Sequence, residues 1–176
     1  ALLASVAFLF AGHGLQQTLV PLRAEAEGFS DLAVGFLGAS FFMGFVLGCV
    51  VGPRIILSAG HIRSFAAMVS LGSAAAIVFP LAIDPIVWDV CRIVTGFCLA
   101  GLYIIVESWL NEKSTNATRG VVMSTYTILS LAMITVGQLV VTAYPIEHFA
   151  LFAIASIFFS LAAVPVALTR SSQPAP

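Results

Sequence analysis

Charge is what this sequence lacks most: only 9% of its 176 residues are Asp, Glu, Lys or Arg, while 60% are apolar. A soluble domain of this size carries about 25% charged residues, so the composition points to a chain solvated by lipid. Seven basic residues against eight acidic ones leave a net charge of -1, with no basic patch to hold a nucleic acid. Cysteine is also sparse. Cys49, Cys91 and Cys98 stand in apolar runs without His or Cys neighbours at ligand spacing, which argues for packing rather than a disulfide or a metal site. Nucleophile and base pairs, phosphate-binding glycine loops and metal spacings are missing too, so neither enzymatic activity nor a cofactor is expected.

What is there is apolar and periodic. Runs at about 1–22, 32–52, 65–83, 87–110, 121–143 and 149–168 are separated by short polar breaks. A bilayer crossing needs about 20 such residues, so the length accommodates about six crossings and little else. The first run is too long, and lacks the cleavage pattern, for a secretory signal. Ala1, not a Met, already stands inside it, as expected either of a trimmed chain or of one whose true start lies elsewhere. Alternate breaks differ in charge. Arg54 and Arg63, then Lys113 and Arg119, then Arg170 mark one set; Glu25, Glu27, Asp31, Asp84 and Glu147 mark the other, with Arg23 its one clear basic member. The positive-inside rule therefore predicts cytoplasmic termini and outward acidic breaks. Residues 169–176 are polar and proline-rich, as expected of a cytoplasmic tail or the start of a linker. Asn116-Ala117-Thr118 matches a glycosylation sequon on the cytoplasmic side, where that modification does not occur.

The few polar residues inside the runs are the candidates for function. An ionised side chain deep in the membrane costs about 2.5–3.5 kcal/mol, so Arg92 must face a cavity or a partner. At 100° per residue Arg92, Gly96, Ala100, Tyr103 and Glu107 share one arc of span four, a stripe suited to lining a pathway. About 22 Å of helix rise separates Arg92 from Glu107, so the two serve different depths. Arg92 reads as a pathway residue in the outer half of the membrane. The alternative is a salt bridge to Asp89, three residues earlier on the same face. Glu107, with Arg63 and Arg119 on neighbouring turns, reads as a cytoplasmic gate or latch. Span one adds His13, Gln16, Gln17 and Thr18 near mid-membrane, where they should point inward. His13 either carries a coupling proton or only bonds a neighbouring helix, and Gln17, one turn on, is a solute contact. Pro21 is expected to end that span. In span five Gln138 alone is long enough for a contact; its Ser and Thr residues suit packing. Gly44, Gly48 and Gly52 recur every four residues on span two, which allows close helix approach and a sliding interface.

Two of these stretches carry a family resemblance. Gly44-Phe45-Val46-Leu47-Gly48 through Gly60-His61-Ile62-Arg63 resembles the second span and cytoplasmic turn of major facilitator superfamily transporters, with Leu57 where that family carries an acidic residue. Arg92, Gly96 and Ala100 are similar to the Arg-x-x-x-Gly-x-x-x-Ala signature of its fourth helix. Glu107 followed by Arg119-Gly120 resembles the sugar-porter branch. The wider run Glu107-Ser108-Trp109-Leu110-Asn111 with Thr115-Asn116 and Arg119-Gly120 resembles the YcaD-like bacterial members. Span five lacks the glycine-proline antiporter motif, which speaks against a drug/proton exchanger.

The resemblance implies an all-α integral membrane bundle of six transmembrane helices, one half of a major facilitator fold built from two inverted three-helix repeats. It implies a bacterial inner-membrane transporter that partners with lipid and a second six-helix bundle. Its cargo would be a small polar or anionic solute, moved by alternating access with proton coupling. The rival reading is a half-length subunit that keeps the fold as a scaffold in a larger membrane complex, motivated by Leu57 and by the scarcity of carboxylates within the spans.

Overall fold

The structure, a computed structural model, describes residues 2–168. These form six helices: α1 Leu2–Ala26, α2 Asp31–Ala59, α3 His61–Leu81, α4 Pro85–Lys113, α5 Arg119–Val140 and α6 Phe149–Ala167, with a single 3-10 turn at Val141–Ala143. All six spans are long and apolar enough to cross a membrane, α5 doing so together with its 3-10 turn. The polar 169–176 segment lies outside the described residues.

Local chemistry sets the helix ends. Ser30 caps α2 by accepting the Ala33 amide at 3.2 Å, and Asp84 caps α4 by accepting the amides of Ile86 and Val87 at 2.9 and 3.0 Å. The His148 ring does the same for α6 through the Ala150 amide at 3.2 Å. Each satisfies donors that a helix start leaves without an intrahelical acceptor. Between α2 and α3 the chain turns on one residue, Gly60, at φ +85°, a conformation open to glycine alone.

Pro21 does not end the first helix. α1 continues through it to Ala26, because a proline removes only one hydrogen bond and the extra turn is anchored by Arg23. That side chain pairs with Glu27 at 2.6 Å and donates to the Ile146 carbonyl at 3.1 Å, clasping α1 to the turn before α6. α2 likewise continues past Gly52 and Pro53 to Ala59, which places Arg54 on the helix rather than in a break.

Packing follows an internal two-fold pattern. The principal contacts pair α2 with α4, α1 with α5, α1 with α6, α3 with α4 and α3 with α6. Exchanging the first three helices for the last three maps α1–α5 onto α4–α2, α1–α6 onto α4–α3, and α3–α6 onto itself. Both principal crossings use glycine on each helix. A Cβ on Gly44 would strike the Ile93 backbone and one on Gly96 the Phe41 backbone, while Gly14 and Gly137 stand in the same relation to Ile134 and Ala11. Such crossings bring backbones together where lipid offers no hydrophobic drive for association. Gly48 extends the α2–α4 seam toward Phe97 and Ala100, but Gly52 has room to spare and Gly38 has nothing within 4 Å.

Candidate functional site

Beside the α2–α4 crossing three polar or aromatic side chains, Gln17, Phe41 and His13, gather around one cation. Arg92, only 4% exposed, projects from α4 into the space between α1 and α2. Its Nη2 donates to Gln17 Oε1 at 2.5 Å, its Nε donates to the Leu37 carbonyl at 3.2 Å, and its Cζ lies 4.5 Å from the centre of the Phe41 ring. Hydrogen bonds from a charged donor contribute about 1.5–3 kcal/mol each and a desolvated cation–π contact up to about 2. The site is nevertheless incomplete. Nη1 is buried without a hydrogen-bond partner, and the one ion pair among the described residues is Arg23–Glu27.

Asp89, weighed above as the salt-bridge partner, is engaged elsewhere: Ser40 Oγ donates to its Oδ1 at 2.7 Å. Arg92 is therefore held by a neutral amide, a carbonyl and a ring, none of which cancels its charge.

His13 stacks on Phe41, with ring centres 5.8 Å apart and planes 21° from parallel. Like Gln17 it is half-buried, so the cluster reaches the surface of the bundle on the α1 side. Arg92, Gln17 and His13 thus share one site, joined through Phe41. Tyr103 lies further along α4, half-buried and packed on Phe10 and Phe45 at 5.0 and 6.1 Å between ring centres. Between Arg92 and Tyr103 the α4 stripe is not an open wall. Gly96 and Ala100 are covered by α2, and the stripe there is the seam between two helices. Gln138 stands apart, exposed on α5.

The three gate residues are not joined in this conformation. Arg63 and Arg119 are exposed, Glu107 is half-buried, and no ion pair links them. That end of the bundle is held instead by His61, whose Nε2 lies 3.3 Å from Ser108 Oγ and whose ring packs on Trp109.

Phe41, Ser40 and the Leu37 carbonyl were not singled out from the sequence. A signal for Phe41 existed: it stands three residues before Gly44, and the Arg92–Gly96 spacing on α4 brings it beside the cation once the glycines set the register.

Comparison with known proteins agrees with the architecture. Residues 6–169 match the family described as "Sugar (and other) transporter". An uncharacterised MFS-type transporter of Enterobacter sp. (strain 638) is 25% identical over 96% of this chain and 44% of its own length. A counterpart in Yersinia pestis (strain Pestoides F) is 30% identical over 69% of this chain and 32% of its own. The MFS-type transporter YcaD of Escherichia coli O45:K1 is 28% identical over 83% and 38%. The chain thus spans less than half the length of the curated relatives it matches. Six membrane-crossing helices in two exchangeable triplets, together with a family match from near one end to the other, carry the conclusion that this chain is an integral membrane protein belonging to the sugar (and other) transporter family of the major facilitator superfamily.

Proposed function

We propose that the chain is the N-terminal half of a secondary active transporter for a small polar or anionic solute, with Arg92 as the solute-binding cation. The observation that carries this reading is the buried guanidinium with one free nitrogen and no carboxylate partner. A buried charge left without a counterion is costly, and the molecule keeps Asp89 occupied with Ser40 instead of using it. An incoming carboxylate or phosphate oxygen would complete the site, with Gln17 and His13 at its accessible edge. Tyr103 and Gln138 belong to the same pathway at other depths, and Glu107, Arg63 and Arg119 to a cytoplasmic gate that closes in another conformation.

A second six-helix bundle completes the protein, and the two rock about the site to give alternating access. The wide uncovered faces of α2 and α5 supply the surface for it. Proton coupling runs through His13, which stands in the middle of α1, whereas His61 stands at the first residue of α3. The protein sits in the bacterial inner membrane with the basic breaks, and hence both termini, on the cytoplasmic side. Carriage rather than chemistry is its task.

The test is a panel of small carboxylates, phosphates and neutral sugars added to the intact protein in detergent, read as ligand-dependent thermal stabilisation. At least one anion stabilises the wild type, and the same anion leaves Arg92→Gln unmoved. Equal stabilisation of both proteins would remove Arg92 from the proposal. Silence across the whole panel in a protein that still melts cooperatively would favour the scaffold reading.

A further inference from the structure

We infer that a single water molecule is bound inside the bundle between Gln16, Thr95 and His13. The inference goes beyond the transport reading and does not depend on it.

Three polar side chains converge on a small cavity of about 10 Å³, whose walls also include Phe41, Gly72 and Phe159. Gln16 is 2% exposed, and its amide nitrogen is buried with no acceptor among the described residues. Thr95 spends its one hydroxyl hydrogen on the Arg92 carbonyl at 3.1 Å, which leaves its oxygen lone pairs free to accept. His13 has its ring face on Phe41, and neither ring nitrogen has a hydrogen-bond partner among the described residues. An orphaned buried amide costs about 1–3 kcal/mol.

The size and the chemistry of the cavity fit the same occupant. A cavity of roughly 10–15 Å³ admits one water and no larger ligand, and a buried water requires about two to four polar partners. Here Gln16 donates to the water oxygen, the water donates one hydrogen to Thr95 Oγ1, and the second hydrogen or lone pair meets a His13 ring nitrogen. The bound water ties Gln16 and His13 of α1 to Thr95 of α4, three side chains that make no direct hydrogen bond to one another.

The experiment uses the full-length protein in lipid bilayers with ¹⁵N-labelled histidine. Polarisation transfer from slowly exchanging water to the ring nitrogens is followed by solid-state NMR, with His13 assigned by its loss in His13→Gln. Transfer to His13 is expected in the wild type. Gly72→Ala should abolish it, because the added methyl meets only Phe159, itself a wall of the cavity, at 4.0 Å and occupies the space without touching the three polar groups. Thr95→Val, close to isosteric, should weaken it by removing one acceptor. Absence of transfer in the wild type, or transfer unchanged in Gly72→Ala, overturns the inference; the second result would mean that bulk water reaches the half-buried ring from outside. Because the readout needs no substrate, a failure of proton-coupled transport would leave this result standing, and the reverse holds equally.

Discussion

Asp89 and Arg92 stand three residues apart on one face of α4 and do not pair: the carboxylate takes the Ser40 hydroxyl at 2.7 Å while the guanidinium turns to Gln17 at 2.5 Å. Gln17 is thus the position where an internal anion would cost function and add stability. Gln17→Glu should raise the melting free energy by on the order of 1 kcal/mol through a charged hydrogen bond to Arg92. It should also abolish stabilisation by added anions, since the cation is already neutralised. Gln17→Leu should lower stability by about 1.5–3 kcal/mol. Chemical or thermal unfolding with and without ligand measures both, and a Gln17→Glu protein that still responds to anions would contradict the assignment.

The glycines of α2 divide into two classes that a melting series would separate. Gly44→Ala pushes a methyl against the Ile93 backbone, which cannot yield as a side chain can, and should cost about 1–3 kcal/mol or more. Gly96→Ala, Gly14→Ala and Gly137→Ala should behave alike, because each faces backbone across a crossing. Gly38→Ala meets open space and removes a flexible residue from a helix, so it should be neutral or gain about 0.5–1 kcal/mol. Equal effects at Gly38 and Gly44 would show that the α2–α4 crossing is looser than described.

Six helices were legible because hydropathy reports burial in lipid directly, and the run boundaries miss the helix ends by a few residues, most at α2, which continues from Pro53 to Ala59. Arg92 was legible for the same reason: a cation in an apolar run demands an explanation. Its partners were harder to foresee. Whether Arg92 meets Asp89 or Gln17 depends on the register of α4 against α1 and α2, and that register is set by backbone contacts at glycines whose repeat on one helix does not say which residue lies opposite. The same ambiguity explains the α4 stripe. Periodicity groups Arg92, Gly96, Ala100 and Tyr103 on one face, but it cannot tell a wall facing a pathway from a seam covered by α2.

Arg23 supplies a stability prediction far from the site. It is 7% exposed and bonds both Glu27 and the Ile146 carbonyl. Arg23→Ala should cost about 1.5–3 kcal/mol, because it leaves the carbonyl without its charged donor and frees the last turn of α1. Glu27→Ala removes the more exposed half of the pair and should cost no more than about 1 kcal/mol. A larger loss at Glu27 than at Arg23 would mean that the ion pair, not the clasp to Ile146, holds this end.

The gate makes the opposite kind of prediction, one in which stability should stay still while conformation moves. Glu107, Arg63 and Arg119 make no ion pair in the conformation described, so Glu107→Gln should shift the melting of this state by no more than about 0.5 kcal/mol. If the three close on one another in an alternate state, removing the carboxylate destabilises that state alone and changes the balance between the two. A double-mutant cycle of Glu107→Gln with Arg119→Gln makes the distinction. Coupling should be near zero when thermal unfolding is read, and about 0.5–3 kcal/mol when the cycle is read on transport rate by the full-length protein. Coupling of that size in the unfolding data would place the pair in the conformation already described. No coupling in either readout would leave Glu107 without a latch, as a carboxylate at the membrane edge that only keeps the helix end hydrated.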